Sequence, residues 1–262
     1  MASTIRDILV DSEALYGPED AIRYKIGRDT IETKSYTQLK EDSESFSCIL
    51  QGLKEQGNHI AITGMTSYAW LVAYFGTVNS GSVAVPLDVS LPAVEMCELI
   101  DRADVTVLVI DEIRLDVIAI AKKECPKLKY IISMQKEESD EEILSLSQLF
   151  VQYKGEYTST LNPDSLATIM FTSGTTGKSK GVMLTHRNLA EDATCLDMKI
   201  PPRTVVLSVL PIHHAYCLSM DILKGLSLGS VICINDSLLR VAKNIKLFQQ
   251  NMILMVHIMI EH

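Results

Sequence analysis

Apolar positions along the chain alternate between two spacings. Runs of four to six apolar, mostly β-branched residues are separated by longer stretches with helical periodicity. From residue 36 the pattern predicts a helix over 36–56, with Thr37 as its N-cap and Gly57 as its stop, then a strand over 59–63. A helix over 68–79 follows, ended by Gly81, then a strand over 83–87 and a helix over 92–102 with Pro92 in its first turn. The unbroken run 105–110 reads as a strand buried on both faces. A helix over 113–124 and a strand over 130–133 continue the series. Strand–helix alternation of this kind predicts an α/β fold: largely parallel sheets flanked by helices.

The rhythm breaks twice. Residues 135–142 are nearly all acidic or polar and read as a solvated loop; residues 154–164 end in Asn162-Pro163-Asp164 and read as a linker. Strands then recur over 166–171, 182–185, 205–210, 231–234 and 252–256, with helices over 187–196, 218–226 and 238–249. This places one α/β subdomain at 1–160 and a second at 161–262.

Composition narrows the possibilities. Asp plus Glu number 33 against 24 Lys plus Arg, a net charge of −9, which argues against nucleic acid as a partner. No apolar run reaches the length of a membrane span and the first residues lack a signal-peptide pattern, so a cytoplasmic location is expected. The six cysteines, at 48, 97, 125, 195, 217 and 233, have no C-x-x-C spacing and read as reduced thiols, neither a disulfide framework nor a metal site.

Charge is distributed unevenly. Between Ser165 and Ala190 there is no acidic residue, while Lys178, Lys180 and Arg187 fall inside. Within that window Thr172-Ser173-Gly174-Thr175-Thr176-Gly177-Lys178-Ser179-Lys180 holds five hydroxyls, two glycines and two lysines. Apolar strand-like runs lie on both sides. Glycines let backbone N–H groups approach an anion and hydroxyls add donors, so the segment suits phosphate. A surface hairpin with incidental lysines is the plain alternative. The Walker A pattern requires a glycine where Thr172 stands, and a helix where Gly181-Val182-Met183-Leu184 follows. A nucleotide-hydrolysing switch is therefore disfavoured.

The segment from Phe171 to Val182 resembles the phosphate-binding loop of the adenylate-forming (AMP-binding) superfamily, which includes acyl-CoA synthetases, luciferases and peptide-synthetase adenylation domains. Ser179 stands where proline is usual in that family. Tyr36-Thr37-Gln38-Leu39, the run from Asn79 to Asp88, and Leu210-Pro211-Ile212-His213-His214-Ala215-Tyr216 resemble three other motifs of the family, in the same order. The likeness implies the N-terminal part of an acyl-adenylate synthetase core. It also implies an ATP-dependent, AMP-forming acid–thiol ligase that makes an acyl-adenylate and passes the acyl group to coenzyme A. ATP and Mg²⁺ are implied, with coenzyme A as co-substrate.

By the same resemblance, Thr172, Ser173, Thr175 and Thr176 supply hydroxyls to the phosphates. Gly174 and Gly177 give backbone room, and Lys180 and Lys178 supply charge. His214 lies at the junction of acyl group and nucleotide, as the one candidate catalytic side chain. No protein ligand for a metal is implied; the His213–His214 pair has no third ligand at a recognisable spacing. Amino-acid-activating relatives carry an aspartate near position 215, which here is Ala215, so a fatty or aromatic acid is the expected substrate. The motifs for adenine and ribose, the hinge and the C-terminal lid are not found. This chain alone is thus expected to be inactive, to require the rest of the same enzyme, and to expose an apolar face able to self-associate. A non-catalytic folded fragment, a partner-binding module and an amino-acid-activating domain remain as alternatives.

Overall fold

The structure is a computed structural model and describes residues 2–172, 179–196 and 198–255. In chain order the strands are β1 (Asp20–Lys25), β2 (Ile31–Ser35), β3 (His59–Thr63), β4 (Val83–Leu87), β5 (Val105–Ile110), β6 (Tyr130–Ser133), β7 (Leu144–Ser145), β8 (Leu166–Thr172), β9 (Lys180–Thr185), β10 (Val205–Ser208), β11 (Val231–Ile234) and β12 (Met252–Ile253). They form two sheets, in the orders β7-β6-β5-β3-β4-β8-β9 and β12-β10-β11-β1-β2. All neighbours pair in parallel except the hairpins β8–β9 and β1–β2. The largely parallel α/β architecture read from the apolar rhythm is therefore present.

The chain divides into two compact units along a different line from the expected cut at 160. One comprises residues 41–65 and 69–186; the other comprises 1–40, 66–68 and 187–262. Pairing between distant strands explains the difference. β8 lies beside β4, with Ala84 opposite Thr168, so the hairpin β8–β9 completes the first large sheet and does not open a second subdomain. Conversely β1 pairs with β11, and so belongs with the C-terminal strands. The polar segment 154–164 is docked within the 41–186 unit, where the Ser159 hydroxyl donates to the carbonyl of Asn79 at 2.7 Å.

In the 41–186 unit the residues of β5 are buried along its whole length, as a β-branched run between two helical layers requires. The helix Tyr68–Asn79 is buried from Trp70 onward. Gly76 is the reason it fits. A Cβ there would lie 2.5 Å from the Cβ of Phe46 and 2.6 Å from the carbonyl oxygen of Ser43, on the helix Tyr36–Gly52. Helix Ala93–Arg102 buries Met96, Cys97, Leu99 and Ile100 on one stripe and packs into the same core. Gly81, with φ +79°, adopts the left-handed turn that ends helix Tyr68–Asn79.

The other unit contains elements that the apolar rhythm does not predict. Helix Ile5–Tyr16 is closed by a capping box. The Thr4 hydroxyl accepts from the Asp7 amide at 3.0 Å, and the Asp7 carboxylate accepts from the Thr4 amide at 2.9 Å. Helix Tyr36–Gly52 starts at residue 36 as expected, but Thr37 is not its N-cap. Ser35 and Gln38 cap it reciprocally, at 3.1 and 2.9 Å, while the Thr37 hydroxyl instead donates to Glu13. The helix stops at Gly52, not Gly57; Gly57 holds a positive φ in the turn that follows. The Tyr36 hydroxyl donates to the carbonyl of Ser230 at 2.7 Å, tying the start of this helix to the residue before β11.

Candidate functional site

The hydroxyl-rich segment is carried by the hairpin β8–β9. Its register pairs Met170 with Val182, Phe171 with Gly181 and Thr172 with Lys180. Thr172 and Lys180 therefore stand opposite each other as the last paired residues, both exposed, at the mouth from which the connecting residues leave. Ser173, Gly174, Thr175, Thr176, Gly177 and Lys178 lie outside the described residues.

The base of the hairpin is held firmly. Ala167 and Thr168 are buried, and the Thr168 hydroxyl shares a hydrogen bond of 3.0 Å with the hydroxyl of buried Tyr74. Burial pushes the Tyr74 phenol well above its ordinary range, so it remains a neutral partner. On the outer strand Gly181 sits against β8; a Cβ would lie 3.1 Å from Ile169 Cγ2 and 3.4 Å from Phe171 Cε1. β9 is an edge strand, with Met183 66% exposed.

His214 belongs to the other compact unit. Its amide closes a turn onto the carbonyl of Pro211 at 3.1 Å, and its own carbonyl accepts from the Leu218 amide at 3.1 Å. The His213 and His214 rings are 4.2 Å apart, tilted by 50°. His214 and Ala215 are exposed. Next comes a widened, π-helical stretch, Cys217–Leu223, a rare geometry that is frequent at functional sites.

That stretch carries charged groups which the apolar pattern hides. Asp221 is 2% exposed and Lys224 is 1% exposed. The Lys224 ammonium donates to the carbonyls of Ala193 (3.0 Å) and Leu196 (2.5 Å). Neither Asp221 carboxylate oxygen has a hydrogen-bond partner of ordinary geometry, although the Ser208 hydroxyl lies close enough to favour the anion slightly. Burial dominates and raises the Asp221 pKa to about 6. Cys217 is pushed up to about 12, first by burial and then by the Asp221 charge; its thiol donates to the carbonyl of Leu210 at 3.3 Å. Asp221 and Lys224 share the wall of a cavity of about 20 Å³ with Met198, Met220 and Met252. Their sequence signal is an aspartate and a lysine three residues apart inside an apolar run, which is easily read as a plain core helix.

The six cysteines are free; 97, 125, 217 and 233 are buried. Among the described residues no three His, Cys, Asp or Glu side chains converge as a metal site, and no helix is long and apolar enough to cross a membrane.

Comparison with known proteins gives a consistent outcome. Residues 11–257 match the family described as AMP-binding enzyme. Long-chain-fatty-acid–CoA ligase 5 of Rattus norvegicus is 32% identical over 205 residues, which is 70% of this chain and 30% of that protein. Crotonobetaine/carnitine–CoA ligase of Salmonella enteritidis PT4 is 25% identical over 239 residues, covering 86% of this chain and 45% of that one. The chain thus spans less than half the length of these curated relatives. Among solved structures, the anthranilate CoA ligase AuaEII in complex with anthranoyl-AMP superposes with a TM-score of 0.87 at 17% identity, over 97% of this chain and 51% of that one. The N-terminal domain of FACL13 from Mycobacterium tuberculosis superposes at 0.81 and 20% identity, covering 92% and 60%. These superpositions show the fold.

Proposed function

The chain belongs to the AMP-binding enzyme family, and from that premise we propose that it is the N-terminal part of an ATP-dependent, AMP-forming acid–thiol ligase, in which residues 172–180 grip the phosphates of ATP. The observation that carries this reading is the hairpin register. It brings Thr172 and Lys180 face to face on exposed strand ends, with the hydroxyl- and glycine-rich residues 173–178 joining them. In the reaction a carboxylate attacks the α-phosphate, pyrophosphate departs, and a thiol later takes the acyl group. The approach of one anion to another is the obstacle, so positioning and charge neutralisation supply the catalysis. Thr172, Ser173, Thr175 and Thr176 contribute hydroxyl donors, and Gly174 and Gly177 allow close backbone approach. Lys178 and Lys180 contribute charge alongside the Mg²⁺ that arrives with the nucleotide. His214 borders the acyl–nucleotide junction.

Coenzyme A is the acceptor in this reading, the substrate is a fatty or aromatic acid, and the setting is cytoplasmic fatty-acid metabolism. Ala215 is uncharged, and Asp221 is buried, so neither position offers an accessible anion to a substrate ammonium group. Both favour an acid without an α-amine. Adenine and ribose contacts and the catalytic lid come from the rest of the same enzyme, so the 262-residue chain binds nucleotide phosphates but does not complete thioester formation.

Calorimetric titration of MgATP into this chain tests the reading. Lys180→Ala should weaken binding by about ten- to a hundredfold, the worth of a charge-assisted contact, with folding unchanged. Equal affinity in wild type and variant removes the segment from nucleotide binding.

A further inference from the structure

The free end of the hairpin needs an anchor. β8 pairs with β4 at Thr168, and beyond that residue its ladder partner is β9 alone. A two-stranded ribbon ending in Gly181 and Ser179 is a loose platform for a binding segment. One side chain from outside the hairpin engages both of its arms. Arg102, the last residue of helix Ala93–Arg102, donates from Nη2 to the carbonyl of Ser179 at 2.9 Å. Its guanidinium carbon also lies 5.6 Å from the centroid of the Phe171 ring, over the ring face. Phe171 is on β8 and Ser179 directly precedes β9, so a single planar cation spans the two strands one residue from Thr172 and Lys180.

The surroundings fit a clamp better than an ion pair. Glu95 and Glu98 line the same cleft of about 570 Å³ as Arg102 and Ser179. Yet no carboxylate among the described residues lies within salt-bridge distance of Arg102. The guanidinium is committed to a carbonyl and an aromatic face, two partners that arginine serves and lysine serves poorly. The helix's buried stripe is Met96, Cys97, Leu99 and Ile100, so Arg102 stands outside the core and its replacement leaves packing intact.

We propose that Arg102 is a positioning residue for the phosphate-binding segment. It fixes the Ser179 carbonyl against the Phe171 ring, and so sets the direction from which Lys180 meets a polyphosphate. This rests on the phosphate-binding reading of residues 172–180, and it assigns the hairpin's stiffness to a residue some seventy positions upstream, outside every motif of the sequence.

The test uses the full chain with two readouts. The first is hydrogen exchange at the amides of 180–182 without any ligand. Arg102→Ala and Arg102→Lys should each speed exchange there several-fold, while melting temperature and exchange elsewhere stay as in wild type. The second is MgATP affinity. Arg102→Ala should weaken it by about three- to tenfold, Arg102→Lys should not restore it, and Phe171→Leu should cause part of the same loss with every charge retained. Full restoration by lysine would mean that long-range charge is at work, and would overturn the clamp. So would unchanged exchange in Arg102→Ala. If exchange quickens as expected but wild type and Lys180→Ala bind MgATP equally, the clamp stands as a structural device and the phosphate reading falls.

Discussion

Replacing Asp221 by asparagine removes a charge that the fold accommodates badly, and the cost can be worked out. The carboxyl is 2% exposed, neither oxygen has a hydrogen-bond partner of ordinary geometry, and burial lifts its pKa from 3.8 to about 6. Below pH 4 the group is protonated in both the folded and the unfolded chain and no penalty arises. Between pH 4 and pH 6 the unfolded chain gives up the proton while the folded chain keeps it. The native state then binds more protons, and stability falls as pH rises. Above pH 6 both states are ionised and the penalty is fully present. A shift of roughly two units amounts to about 3 kcal/mol at 1.36 kcal/mol per unit. Asparagine has nearly the same shape and does not titrate. The electrostatic part of the difference in unfolding free energy, Asp221→Asn minus wild type, should therefore be about 1 kcal/mol at pH 4.5 and should rise by about 2 kcal/mol more in the variant's favour at pH 7.5. Urea denaturation at the two pH values measures it. The other acids of this acidic chain contribute equally to both proteins and cancel. A difference that does not change with pH would refute the account, since it would mean that Asp221 is solvated or paired in the folded protein.

Two further substitutions probe how the packing around hairpin β8–β9 is supported. Gly76→Ala places a methyl 2.5 Å from the Phe46 Cβ and 2.6 Å from a backbone oxygen. It should cost about 2–3 kcal/mol by overpacking two helices, and an unchanged urea midpoint would show that the helices have room to part. Tyr74→Phe leaves the buried Thr168 hydroxyl without its 3.0 Å partner and should cost about 1–2 kcal/mol. Loss of less than half that would mean that Thr168 turns to another acceptor.

Much of the architecture was legible in the sequence because the buried strands announce themselves. The run of β5 has no polar residue except Thr106, and every one of its positions is buried. The N-terminal strands carry no such mark. β1 buries only Ala21 and Ile22, and β2 buries none fully, so neither shows a clear period. Helix Ile5–Tyr16 was readable by its caps, Thr4 and Asp7, even though its apolar stripe is modest. Pairing between sequence-distant strands, such as β4 with β8, leaves no local trace, which is why the local pattern alone suggests a cut at residue 160. At the candidate site, the concentration of hydroxyls, glycines and lysines in residues 172–180 is plain in the sequence. The support around it is not. Tyr74 and Gly76 look like ordinary core, and Arg102 sits in an unremarkable helix. Asp221 and Lys224 disappear among leucines, because burial, which gives them their significance, is a property of three dimensions.

The partnership of β1 with β11 also shapes how this protein comes into being. Ile22 must align with Ile232, and Arg23 with Cys233. On a ribosome adding about 5–20 residues per second, the N-terminal hairpin would wait roughly ten to forty seconds for its neighbour to be translated. The 41–186 unit, nearly continuous in sequence, can consolidate during that interval. The hairpin meanwhile holds an open row of amides and carbonyls, the kind of edge that other chains and chaperones recognise. Closing a loop of that length is the step on which pairing of the N-terminal hairpin depends, so nascent-chain yield should respond more to the hairpin's own edge than to anything in residues 172–180.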